Sequence, residues 1–427
     1  MPGISSFEAA PADPVRTPAR GWAVLLLFRC QLSTAILISY TFGVFLPFIR
    51  EDLQLSPLQA GLLQGIWWVT PAVLSIPVGA WLSRFRPVPV VMVSLLLQIP
   101  FLFLQGLAEN FITLLFARFL FVLVHVLTTP ARTLLLQQWA VPRQFALING
   151  VGLSQHSLIL ALAISTSALL ITGFGSWRMV YYVLGAFLAL QALAWWITAR
   201  EQNALAPDLH RDLEDQPGSP LRAVLSYPQV WFIAVTMFAL SATWTSLVTF
   251  LPTLWLEERD VPLTLGGPLL AFLYYGLIPS SLLGGFIAGK VRNPKVLLGV
   301  PAFLNLVLGL AITTSDSTPV LMVLITALGM VWIATPAIQV MPFQFPSIRP
   351  REVAVISSLV ITFSGLGFAA GPVITGLVAQ LTGSLQTGLV VLCLLTSVGV
   401  VAAVLYPADR TVPEAYPEQV PDRRIGP

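Results

Sequence analysis

The chain has 427 residues, 56% of them hydrophobic and only 10% charged, with a formal net charge of +3 and a mean hydropathy of +0.84. Soluble globular chains carry about 25% charged residues, so there is too little charge here to clothe a water-soluble body of this size. The positive excess is small and scattered, which argues against nucleic acid as a partner.

The apolar segments run to about 20 residues, the length a helix needs to cross hydrocarbon. They lack the strict alternation of a lipid-facing barrel strand. The predicted class is therefore an all-α membrane protein. Residues 1–21 are polar and proline-rich, have no short apolar core before a cleavage site, and read as a disordered tail. Six spans follow within residues 22–200, near 22–48, 58–82, 88–107, 110–132, 144–172 and 178–199. After a polar central loop, 201–226, six more lie within 227–406, near 228–252, 264–289, 294–313, 318–343, 352–380 and 384–406. The tail 407–427 is too polar and proline-rich to build a core. Cys30 and Cys393 both fall inside apolar runs, so no disulfide framework is expected.

Twelve crossings place both termini on one side, and the basic residues choose which. With both ends in the cytoplasm, 17 of the 22 Lys and Arg fall in cytoplasmic segments and only Arg50, Arg178 and Arg259 fall outside. The expected location is a bacterial plasma membrane with both termini and the central loop cytoplasmic.

The two sets of spans are copies. GAWLSRFR at 79–86 aligns with GFIAGKVR at 285–292, bringing Gly79 onto Gly285, Arg84 onto Lys290 and Arg86 onto Arg292 at an offset of 206. The same offset carries TPA at 129–131 onto TPA at 335–337 and Arg143 onto Arg349, while Pro47 and Pro252 differ by 205. One offset serving landmarks spread over about 100 residues predicts two pseudo-symmetric six-helix halves, which in transporters meet at a midplane substrate site.

These features resemble the major facilitator superfamily: a six-plus-six duplication, a central cytoplasmic loop, basic loops after spans two and eight, Arg118 in span four, Gly175-Ser176-Trp177-Arg178 between spans five and six, and GLGFAAGPVITG at 365–376. The resemblance covers nearly the whole chain outside the tails and assigns no branch. It implies a twelve-helix fold, alternating access, gating loops containing Gly79, Arg84, Arg86, Gly285, Lys290 and Arg292, and a central cavity lined by spans one, four, seven and ten. The chain departs from the family's loop signature: Ser83 stands where an Asp belongs, Arg86 where a Gly belongs, Pro87 where a basic residue belongs, and Gly289 replaces the Asp in the second copy. Span five, NGVGLSQHSLILALAIS, lacks the Gly-Pro pair of the drug/proton antiporters.

An ionisable residue within a span is a functional candidate because unpaired burial is costly. The spans hold Arg29, Arg118, His125 and His156, and no Asp or Glu away from their ends. Arg29 lies about 12 Å and Arg118 about 13 Å along its span, both near mid-depth. Arg118, His125 and Arg132 recur at intervals of seven and form one stripe. A guanidinium keeps its charge and offers five donors in a planar fork, so arginines facing a cavity suit an anion, above all a carboxylate. Other roles stay open: Arg118 as a structural or gating group, Arg29 bound to carbonyls at a bend or snorkelling toward water, and the histidines as packed, hydrogen-bonded groups.

With no membrane carboxylate, proton coupling falls to His125, His156 or the substrate, and exchange needs no such group. The second half has polar rather than charged content: Ser241, Thr243, Trp244, Thr245 and Ser246 in span seven, and Tyr274 and Tyr275 in span eight. Pro71, Pro77, Pro130, Pro279, Pro336 and Pro372 are expected to interrupt or bend their spans.

The reading is a secondary transporter of a small solute, above all a small organic anion, by exchange or symport. The expected substrate-binding set is Arg29, Arg118, His125, His156, Trp244, Tyr274 and Tyr275, with a proton or counter-anion as coupling partner, the bilayer as solvent and a monomer as the working unit. Efflux of amphipathic compounds against Trp67, Trp68, Trp244 and Tyr274 is the alternative, and a transporter-like receptor a weaker one. No metal cluster, nucleotide loop or buried carboxylate pair calls for an enzyme, a metal or a cofactor.

Overall fold

The computed structural model describes residues 16–82, 85–141, 144–200, 227–259, 261–288, 293–341 and 350–407. These residues form sixteen α-helices, and no strand occurs among them. In the first half they are α1 Ala19–Tyr40, α2 Phe42–Leu53, α3 Pro57–Leu82, α4 Pro87–Gly106, α5 Phe111–Val126, α6 Thr128–Trp139, α7 Phe145–Phe174 and α8 Trp177–Thr198. In the second they are α9 Pro228–Arg259, α10 Leu263–Ala288, α11 Pro294–Thr314, α12 Thr318–Met330, α13 Thr335–Val340, α14 Pro350–Thr382, α15 Leu385–Leu395 and α16 Val398–Leu405.

Four broken crossings reduce this list to twelve: α1 with α2, α5 with α6, α12 with α13 through a 3₁₀ turn at Val331–Ala334, and α15 with α16. Seven described helical stretches are long and apolar enough to cross a membrane, and Phe111–Val126 and Thr318–Ala334 are shorter apolar ones.

The repeated TPA motif explains two of the breaks. Pro336 lies in the first turn of α13, where its missing N–H costs nothing, and Pro130 opens α6 in the same way. Pro71, Pro77, Pro279 and Pro372 behave otherwise: α3, α10 and α14 continue through them. The ring removes one hydrogen bond, yet the flanking turns are held by packing.

At the end of the bundle away from the described termini, here the distal face, both halves turn with the same device. α7 ends on Gly175 in the left-handed region (φ 69°), and Ser176 then caps α8 by accepting from the Arg178 N–H. α14 ends near Gly383 (φ 76°), and Ser384 caps α15 through the Thr387 N–H. Only glycine takes the left-handed position without cost, and serine accepts an orphan N–H.

The Gly-Ser-Trp-Arg stretch also fastens the first half together. The Trp177 Nε1–H donates to Asp52 (3.1 Å), the Arg178 guanidinium pairs with the same carboxylate, and Arg178 donates to the Ala108 carbonyl (2.8 Å). One short motif thus ties the start of α8 to the end of α2 and the α4–α5 loop.

The outside of the bundle is apolar. Ile112, Leu190, Trp196, Ile361 and Leu381 are each more than 60% exposed, as expected where lipid is the solvent. Inside, one core runs from the first half into the distal part of the second, joining Phe42, Val44 and Phe45 to Leu247, Phe250 and Leu254. A separate core, with Val230, Ile233, Leu298, Ile356 and Ala403, belongs to the opposite, terminal end of the second half. The halves are therefore fused on the distal side.

Glycines make that fusion close. A Cβ on Gly61 (α3) would lie 2.3 Å from the Pro372 carbonyl oxygen (α14), and one on Gly376 (α14) 2.3 Å from the Pro57 carbonyl oxygen (α3). Arg50 then bridges from α2 to Glu257 on α9.

Candidate functional site

Arg29 sits on α1 where α6 and α7 pass it. It is half-buried and shares a small cavity of about 20 Å³ with Arg132, lined also by Leu25, Leu26, Phe28, Leu136 and Ile148. That volume is about one water molecule. Gly152 on α7 makes room for the guanidinium, since a Cβ there would lie 2.7 Å from Arg29 Nε.

One turn along α1, the Ser33 hydroxyl donates to the Arg29 carbonyl (2.8 Å) and lies 2.9 Å from His156 Nδ1. With its only proton committed, the Ser33 oxygen accepts from the His156 Nδ1–H, leaving His156 Nε2 as an acceptor. His156 also lies in the electrostatic field of both Arg29 and Arg132. The arrangement places two cations and one histidine around the terminal end of α1, with no acidic side chain among the cavity's lining residues.

Arg118 occupies a different place. It is fully buried, and its guanidinium donates to the Leu63 carbonyl (3.0 Å), Gln64 Oε1 (3.3 Å) and the Tyr181 hydroxyl (3.4 Å). Its charge stands 4.2 Å from the Phe42 ring centroid and 5.6 Å from that of Trp67. Arg118 does not line the Arg29 cavity, so the two arginines are not brought onto one surface as the sequence had led us to expect. Seven residues along, His125 stacks on Trp67 at 6.4 Å and its Nδ1 has no hydrogen-bond partner.

Trp244 and Tyr274 are both buried and meet edge to face, 5.8 Å between centroids; the Tyr274 hydroxyl is unpartnered. Tyr275 points elsewhere. It is 40% exposed and its hydroxyl meets Ser165 on α7 at 3.2 Å, because one residue along a helix turns the side chain about 100°.

Of the loop residues, Gly79 and Gly285 fall within α3 and α10 and Arg86 is exposed just before α4, while Arg84, Lys290 and Arg292 lie outside the described residues. Sequence reasoning placed Arg132 on a stripe but not beside Arg29. It passed over Gln64 and Tyr181, for which a lone Gln in an apolar span was the available signal.

A bundle of two fused six-helix halves, with cations inside the membrane-spanning part of one half, defines a multi-pass integral membrane protein with a polar interior. The sequence pattern of the Major Facilitator Superfamily matches residues 30–355, and the chain belongs to that family. Among relatives, an uncharacterized transporter of Bacillus subtilis (strain 168), YybO, is 23% identical over 55% of this chain and 58% of its own length. The hexuronate transporter of the same organism is 25% identical over 50% of this chain and 52% of its own. The chain thus spans about half the length of the curated relatives it matches.

Among solved structures, a bacterial homologue of the human lysosomal transporter Spinster, inward-facing and unoccupied, superposes with a TM-score of 0.72 at 20% identity, covering 91% of this chain and 96% of that one. The nucleoside transporter NupG superposes with a TM-score of 0.69 at 12% identity, covering 91% and 98%. At these identities the likeness concerns the fold.

Proposed function

We propose that this protein is a secondary transporter that moves a small organic anion by alternating access, with the terminal face in the cytoplasm of a bacterial plasma membrane. The observation that carries the reading is the pairing of Arg29 and Arg132 on one cavity beside His156. Two cations sharing a cavity repel, and an anion between them relieves the repulsion. Guanidinium forks favour a carboxylate over a spherical anion of equal charge. A hydrophobic cation would meet like charge at this entrance, which disfavours the efflux reading.

The relative named for hexuronate transport lends support, since a hexuronate carries a carboxylate. Sugar acids are therefore the first substrates to try. Arg118 serves this transporter by holding α3, α5 and α8 together. Coupling runs through His156 or by exchange of one anion for another.

The test is thermal stabilisation of the purified protein by sugar acids, neutral sugars and hydrophobic cations. A ligand present at 100 times its Kd stabilises by about 2.7 kcal/mol, so binders separate clearly from non-binders. Stabilisation by sugar acids, lost in Arg29→Gln, supports the reading. Stabilisation by hydrophobic cations alone contradicts it.

A further inference from the structure

Six aromatic side chains from six different crossings close into a ring at mid-depth. Going round it, Tyr40 (α1) meets Trp68 (α3) at 5.8 Å between centroids, Trp68 meets Phe368 (α14) at 4.5 Å, and Phe368 stacks on Trp332 at 6.0 Å. Trp332, in the 3₁₀ turn, meets Trp244 (α9) at 5.3 Å, Trp244 meets Tyr274 (α10) at 5.8 Å, and Tyr274 returns to Tyr40 at 5.6 Å. Two of its links, Tyr40 to Tyr274 and Trp68 to Phe368, join one half of the protein to the other.

The duplication places its members. Trp68 and Tyr274 differ by the 206 residues that separate the two copies, and each lies eleven residues from the distal start of its helix. That is about 16 Å from the distal face, near the midplane of a core about 30 Å thick. Midplane sites between repeats are where transporters of this architecture hold their cargo. Arg29 and Tyr40 are also eleven residues apart, about three helical turns, so they share one face of α1. The cationic cavity and the ring lie along one stripe.

The polar heads of the ring are largely unmatched. The Trp244 side chain hydrogen-bonds Tyr40. The Trp68 Nε1–H, the Trp332 Nε1–H and the Tyr274 hydroxyl, all shielded from solvent, have no partner. An unpaired buried donor is costly, so three on one ring favour a ligand that supplies acceptors. Trp68, Trp332 and Phe368 are also only half-buried, whereas Tyr40, Trp244 and Tyr274 are buried, so one arc of the ring keeps exposed surface.

We infer that this aromatic ring is the subsite for the uncharged body of the substrate, and that the body is a saturated, oxygen-bearing ring of the pyranose type. Aromatic faces pack against the flat C–H faces of such a ring. The three free donors, shielded in this form, meet its ring and hydroxyl oxygens once the ring parts to admit it. The inference rests on the transporter reading and adds a criterion that charge does not supply: ring against open chain.

The experiment measures binding of three probes by titration calorimetry: D-glucuronate, the open-chain sugar acid D-gluconate, and neutral methyl D-glucoside. Variants are Trp332→Phe and Tyr274→Phe, which keep the aromatic face and remove a donor, with Trp332→Leu removing both, and Arg29→Gln for comparison. Each Phe variant should weaken glucuronate and methyl glucoside by about five- to tenfold and leave gluconate unchanged, as expected for one hydrogen bond. Tyr274→Phe should melt no lower than wild type without ligand, since it removes an unpaired buried hydroxyl.

Gluconate bound as tightly as glucuronate, Phe variants indistinguishable from wild type, or no binding of either ring probe would each overturn the subsite. Methyl glucoside binding that depends on the ring, without binding of either acid, would uphold the subsite while removing the anion reading. Equal binding of both acids, lost in Arg29→Gln, would do the reverse.

Discussion

Arg50 on α2 donates two hydrogen bonds, 2.9 and 2.8 Å long, to the two carboxylate oxygens of Glu257 on α9, and so bridges the two halves at the distal face. The arginine is 18% and the glutamate 39% exposed, so the pair is solvent-screened and worth about 0.2–1 kcal/mol. In the alternating cycle proposed above, an energy of that size shifts populations without locking either state. Glu257→Gln should raise the accessibility of a single cysteine placed beneath the distal face by about two- to fivefold. The charge-swapped pair, Arg50→Glu with Glu257→Arg, should restore it. Unchanged accessibility in both variants would show that the pair has no part in closure.

The glycine seam beneath that pair is less forgiving. Gly61 and Gly376 each face a backbone carbonyl that a Cβ would approach to 2.3 Å, and a carbonyl in a packed helix cannot step aside. Gly61→Ala should disfavour the distal-closed form by about 1–3 kcal/mol. Labelling of a distal cysteine reads this directly. An alanine variant with wild-type labelling and transport would mean that the seam is looser than these distances imply.

Arg118 and Arg29 should fail in opposite ways. Removing the Arg118 guanidinium leaves the Leu63 carbonyl and the Tyr181 hydroxyl short of a donor in a buried setting. Arg118→Gln should therefore cost about 2–3 kcal/mol of stability, seen as a lower melting temperature, while folded protein binds ligand normally. Arg29→Gln should bind poorly even in the protein that folds. A stable Arg118→Gln that has lost binding would return that residue to the substrate.

No acidic side chain lies within the described membrane-spanning helices away from their ends, so a proton-coupled cycle turns on histidine or on the substrate itself. The double variant His125→Gln with His156→Gln should lose accumulation driven by a pH gradient and keep anion exchange. His156 carries more of the effect, because it lies in the electrostatic field of Arg29 and Arg132 while His125 is stacked against Trp67. Accumulation intact in the double variant would exclude both.

The sequence carried the bundle and the repeat because they depend on composition and spacing. Twelve apolar runs, a repeated TPA motif and a repeated offset need no tertiary contact to be seen. The breaks after Tyr40 and near Thr396 were not legible, since neither is marked by proline; they are set by the way those helices pack. Arg29 and Arg118 stood out as charges in apolar runs, yet their different fates depend on neighbours. Tyr181 and Gln64 reach Arg118 across two helices, and Gly152 opens a pocket for Arg29. Trp68, Trp244 and Tyr274 stood out in the sequence as candidate contact residues; that they close into one ring with Tyr40, Trp332 and Phe368 depends on helices that the fold brings together.

The central claim, an anion site at Arg29 and Arg132, is tested most directly by counterflow in proteoliposomes loaded with unlabelled D-glucuronate. Labelled D-glucuronate outside the vesicles should enter by exchange in the wild type. Entry should continue in Arg118→Lys protein that remains folded, and fall at least tenfold in Arg29→Gln. Wild-type counterflow preserved in the double variant Arg29→Gln with Arg132→Gln would contradict the account.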